Sequence, residues 1–196
     1  LPVKIHANLE TQGHDHDLFL LENVEHKTSV PSGYTGIYTV SDLKALQGSD
    51  AKNNYILMND LDLSGQNWTP IKFKSYDYKG TFDGNGYTIS NLFIASNNTS
   101  FAGLFGTTSG ATIQNLIVTG ADITNSVGSN VRSKAGVLIG LAVNTTVSNC
   151  GVTNSKVCAY ATSDPSSSGG LIGIVSGNCK LNNCYVFADV IGNGHV

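Results

Sequence analysis

Few side chains in this chain could do chemistry, and they do not form a known catalytic pattern. The densest set is His14-Asp15-His16-Asp17. Alternate residues of a strand share a face, so His14 and His16 could begin a Zn²⁺ or Ni²⁺ site. No further ligands accompany them, so simple solvent exposure accounts for the pair and no metal is expected. Asp60, Asp62, Asp77 and Asp83 raise two other chemistries, Ca²⁺ binding and paired-carboxylate cleavage of glycans. Cleavage needs acidic and basic groups clustered on one outer face. Beyond residue 84 only 3 acidic and 4 basic side chains remain, and none pairs recurrently. These carboxylates are therefore expected at turns and strand ends. No H-E-x-x-H and no G-x-S-x-G occurs in the sequence, so the zinc-peptidase and nucleophile-elbow motifs are both missing. The reading is of a segment with no catalytic residue and no cofactor.

Four cysteines remain. Cys150 and Cys184 fall at one repeat position, filled earlier by Leu92 and Leu116, and read as small buried hydrophobes. Parallel Cβ vectors on neighbouring strands stay about 4.8 Å apart, wider than the roughly 3.8 Å a disulfide wants, so both are expected as thiols. Cys158 and Cys179 have no repeat equivalents, and their pairing stays open.

The elements that would position these residues come from composition and repetition. Charged residues are 13% of 196, and 22 are glycine, alongside 20 Asn, 20 Ser and 17 Thr. Such a surface is clothed in short neutral polar groups. A net charge of −3 with 11 basic residues argues against nucleic acid or an anionic membrane as partner. No run of 18 apolar residues occurs, so no membrane-inserted helix is expected. A 40% hydrophobic content is enough to build a core.

A repeat then sets the architecture. Thr88-Ile-Ser-Asn-Leu-Phe-Ile94 recurs as Thr112-Ile-Gln-Asn-Leu-Ile-Val118, Thr146-Val-Ser-Asn-Cys-Gly-Val152 and Lys180-Leu-Asn-Asn-Cys-Tyr-Val186. Periods of 20 to 50 residues mean a solenoid, a propeller or an array. The segments are short, β-branched and irregularly spaced, with no helical period. This predicts an all-β fold, a right-handed parallel β-helix. Ile89, Ile113, Val147 and Leu181 should form one inward row, and Ile94, Val118, Val152 and Val186 another. Asn91, Asn115, Asn149 and Asn183 should stack as an internal amide ladder at left-handed bends. Phe93, Ile117 and Tyr185, each between inward positions, should align as an outer apolar stripe that could contact a partner. Glycines of Gly103–Gly106, Gly136–Gly140 and Gly170–Gly173 should permit tight corners. Ser41-Asp-Leu-Lys-Ala-Leu-Gln47 predicts a short N-terminal capping helix, with Ser41 as N-cap and Gly48 as stop. Residues 1–35 show no repeat and read as a separate segment or linker. Residues 36–196 read as the β-helix, truncated at its C-terminal end.

Tyr38–Leu46, Tyr55–Leu63, Trp68–Ile71 and Gly80–Ile89, followed by the G-L-F-G, G-V-L-I-G and G-L-I-G segments, resemble bacterial surface proteins carrying GLUG motifs. The resemblance spans about residues 36–190. It implies a β-helix in a secreted or wall-anchored adhesin-like protein; similar arrays flank the peptidase unit of IgA1-protease-like zinc metalloproteases. The expected role is non-catalytic, an adhesin-like surface or spacer outside the cell, monomeric within a larger chain. A host glycan or host surface protein is the expected partner. The alternatives are an accessory domain of such a metallopeptidase and a carbohydrate-active β-helix enzyme.

Overall fold

The computed structural model describes residues 24–74, 77–96, 98–128, 133–161 and 166–192; His14 and His16 lie outside them. The strands are two to eleven residues long and pair in parallel, each with a strand one coil away. The result is a β-solenoid. Tyr34–Ile37, Asn54–Leu57, Thr81–Asp83, Thr112–Gln114, Thr146–Ser148 and Lys180–Asn182 stack as the first face. The second face carries Leu61–Asp62, Thr88–Ser90, Ile117–Thr119 and the start of Gly151–Ala161. That long strand and Tyr185–Gly192 run past the next corner to join Phe93–Ser96 and Asp122–Val127. Phe101–Ala102, Lys134–Gly136 and Ser167–Gly169, then Phe105–Ser109, Ile139–Val143 and Ile172–Ser176, complete the coils.

Three corners are made by columns of residues in the left-handed region. They are Asn115, Asn149 and Asn183; Asn91, Gly120 and Asn154; and Gly110, Asn144 and Gly177. Asn and Gly adopt this conformation at the least steric cost, which is why only these two types occur there. The fourth corner works differently. The paired glycines of the G-L-F-G, G-V-L-I-G and G-L-I-G segments have no positive φ; they are small because backbone passes beside them. A Cβ on Gly103 would stand 2.5 Å from the Gly136 carbonyl oxygen, and one on Gly173 would stand 2.8 Å from the Ala135 backbone. Close approach, not conformational freedom, selects glycine here.

Inside, the rows differ from those expected. Phe82, Ile113, Val147 and Leu181 are in register, whereas Ile89 belongs with Val118, Val152 and Val186. Ile94 heads a third row with Ile123, Val157 and Val190. Leu92, likewise, does not share the Leu116–Cys150–Cys184 row. Thr81–Asp83, not Thr88–Ser90, stacks on Thr112–Gln114, so 88–94 falls on 117–123, five residues on from 112–118. The corner between these two faces is Gly84-Asn85-Gly86-Tyr87 in one coil and only Asn115 and Leu116 in the next.

The N-terminal coils are filled by rings: Phe73 and Tyr78 have centroids 4.5 Å apart, Tyr78 and Phe105 5.6 Å, and Phe82 and Phe105 5.2 Å. The helix Val40–Lys44 turns Leu43 into the same core, with Leu46 just beyond it. Its N-cap is Thr39, not Ser41. Thr39 is extended, its hydroxyl accepts from the Asp42 amide, and the Asp42 carboxylate accepts from the Thr39 amide, a capping box. Leu181 and Val186 continue inward rows yet are 50% and 40% exposed, because among the described residues a coil covers them on one side only.

Candidate binding surface

The polar ladder is shorter than expected and has an acidic head. The Asn183 amide donates to Asn149 Oδ1 at 2.9 Å, the Asn149 amide to Asn115 Oδ1 at 3.1 Å, and the Asn115 amide to Asp83 Oδ1 at 2.9 Å. Asn91 is not a rung. Its amide donates to Asp62 Oδ1 at 2.8 Å, in the column of the next corner.

Asp83 is the buried anchor of this system. Its carboxylate also accepts from Lys27 Nζ at 2.6 Å, the Asn85 amide N–H at 2.8 Å and Gln114 Nε2 at 3.2 Å. Asn85 ties the same strap of chain: it accepts from the Lys27 N–H at 2.7 Å and donates to the Lys27 carbonyl at 3.1 Å, while His26 packs on Tyr87 at 4.3 Å. Burial alone would raise the Asp83 pKa, but the Lys27 ammonium, followed by the Asn115, Asn85 and Gln114 donors, lowers it below the ordinary carboxylate range. A lowered folded-state pKa favours folding at pH values above the unfolded value of about 4, and that contribution is lost as pH falls below it. Without Lys27 the carboxylate loses its charged partner, its pKa is lowered less, and this contribution to acid resistance shrinks. Lys27→Met should therefore move the acid-unfolding midpoint upward, read from the fluorescence of Trp68, the single tryptophan and a buried one. An unchanged midpoint would show that the bridge contributes nothing.

Other carboxylates serve the backbone. Asp60 accepts from the Thr88 N–H at 2.8 Å, and Asp62 from the Ser64 N–H at 2.9 Å. Among the described residues no three His, Cys, Asp or Glu side chains come together as metal ligands. All four cysteines are free thiols, Cys158 and Cys179 included. Burial pushes the Cys150 thiol up to about 12, which leaves it un-ionised and inert as a nucleophile.

The expected outer stripe separates into two rows. Ile117, Gly151 and Tyr185 are in register, and the half-buried Tyr185 ring lies over Gly151, where a Cβ would collide with it. Phe93, 43% exposed, stands elsewhere, in register with Asp122. That second row continues through Lys156 to Asp189. The sequence reading missed this alignment of three of the seven charges beyond residue 84. The signal lay in the parallel offsets of Asp122, Lys156 and Asp189, hidden by a bulge between Val152 and Ser155 that makes the second offset 33 residues where the first is 34.

No protein-family model matches the chain. Over 115 residues, 51% of this chain, it is 36% identical to halomucin of Haloquadratum walsbyi. That match spans 1% of halomucin. Among solved structures it is similar to the crystal structure of a protein proposed to be an immunoglobulin A1 protease, from Bacteroides ovatus. The TM-score is 0.41 at 14% identity, over 88% of this chain and 86% of that one.

Proposed function

We propose that the chain is a non-catalytic β-helical segment of a secreted or cell-surface protein, which presents an adhesin-like surface or spaces other parts of a long polypeptide. The observation that carries this is the stacking itself. Parallel coils in register turn single outward residues into rows along the axis, a geometry suited to extended partners. Phe93 standing free at the head of such a row, and the 36% identity with a small part of halomucin, support the reading. A host glycan or a host surface protein is the partner class we assign. The Gly-Leu-Phe-Gly type segments are read as GLUG motifs, in keeping with their common place at one close-packed corner.

Two measurements test it. Beads coated with the whole chain should adhere saturably to immobilised host cells or matrix, and absence of adherence would leave only the spacer role. Incubation with immunoglobulin A, casein and a panel of pectic and fructan polysaccharides should release no products. Cleavage abolished by mutating Asp60, Asp62 or Asp83 would replace the scaffold by an enzyme.

A further inference from the structure

Between the row Phe93–Asp122–Lys156–Asp189 and the left-handed corner at Gly120 and Asn154 lies a shallow groove of about 500 Å³. Phe187 flanks it, half-buried, with its ring centroid 6.1 Å from that of Tyr185. The side chains of Asp122, Asn154, Lys156 and Asp189 form no hydrogen bond or ion pair with other described residues. Nearby outward groups, in contrast, bond one another: Thr153 Oγ1 donates to Thr119 Oγ1 at 2.9 Å, and the Asn67 amide holds the Ala95 carbonyl at 3.0 Å. The groove thus concentrates two acceptors and two donors left open to a ligand, beside an aromatic ring.

We infer that this groove binds a neutral saccharide chain, a reading that rests on the surface-binding role above and gives it a site. Sugar hydroxyls donate to the Asp122 and Asp189 carboxylates and accept from the Lys156 ammonium and the Asn154 amide. Phe187 covers the apolar C–H face of a ring. The two carboxylates are two strands apart, about 10 Å at the backbone, too far to share one cation. Two negative charges against one positive oppose sulfated or carboxylated glycans, so the ligand is uncharged. Glycoside cleavage by acid catalysis needs a carboxyl kept protonated in an apolar pocket. Asp122 and Asp189 are both exposed, so the groove holds the glycan without cutting it.

Affinity gel electrophoresis of the whole chain tests this, with mannan, galactan and dextran as neutral probes and heparin as the anionic one. At least one neutral polymer should retard the protein. The double variant Asp122→Ala, Asp189→Ala should weaken retardation about tenfold or more, with an unchanged melting temperature. Lys52→Ala, at an exposed site outside the groove, should leave it unaltered. Retardation by heparin alone, by no polymer, or undiminished in the double variant overturns the inference, as does release of sugar products. Failure here with adherence to cells intact removes the groove and keeps the surface role. Neutral-polymer binding without adherence does the reverse.

Discussion

Replacing Leu116 by Asp lowers the melting temperature by roughly 8–20 °C. Leu116 is fully buried on the row that continues through Cys150 and Cys184. The side chain lies within the apolar core cluster, so a carboxylate there is buried without a charged partner. Burying an unpaired charge costs on the order of 4–5 kcal/mol, and each kcal/mol shifts a domain of this size by roughly 2–4 °C. Thermal denaturation followed by circular dichroism reads the effect. A shift of only a degree or two would show that this row is not interior.

Gly136→Ala should come second, at about 2–4 kcal/mol. One methyl group there has no space: its carbon would collide with the Gly173 amide nitrogen and lie 2.6 Å from the Ile139 carbonyl oxygen. Both neighbours are backbone, so one coil must move away from the next and weaken the hydrogen bonds between Lys134–Gly136 and Ser167–Gly169. Gly128→Ala is the control, since a Cβ there meets nothing within 4 Å, and it should melt close to the parent. Equal melting of the two variants would refute the packing account of the glycine corner.

The solenoid was legible because its signals are periodic. Asn recurring before each buried Leu or Cys, and glycines recurring around Leu-Phe or Leu-Ile, are the residues that a coil corner selects. Ile113, Val147 and Leu181, and Asn115, Asn149 and Asn183, were accordingly placed in their true rows. Ile89, Asn91 and Phe93 were not. Thr88–Ile94 resembles Thr112–Val118 more closely than 117–123, the segment it actually pairs with, while Thr81–Asp83, which does stack on Thr112–Gln114, lacks the Asn-Leu signature. The helix start shifted for a similar reason: Thr39 and Ser41 are both good caps, and the reciprocal Asp42 bond selects Thr39. The ion pair of Lys27 with Asp83 joins residues 56 apart, across a part of the chain with no repeat to count by. The charged outer row was hidden for the opposite reason: three isolated charges mean nothing until register aligns them.

The parallel register has a kinetic consequence. Among the described residues every strand pairs with a strand one coil away, 20 to 34 residues along the chain, never with a distant one. The loop-closure entropy of adding a coil is therefore almost the same at each step, since it grows only logarithmically with loop length. Folding becomes a zipper of near-identical steps after one slow nucleation, governed by nearest-neighbour interfaces. The ring-packed N-terminal coils, closed by the helix, are the best nucleus. Each coil in place offers its strand edges and apolar rows to the next, a template on which the incoming coil is already half-ordered before it arrives.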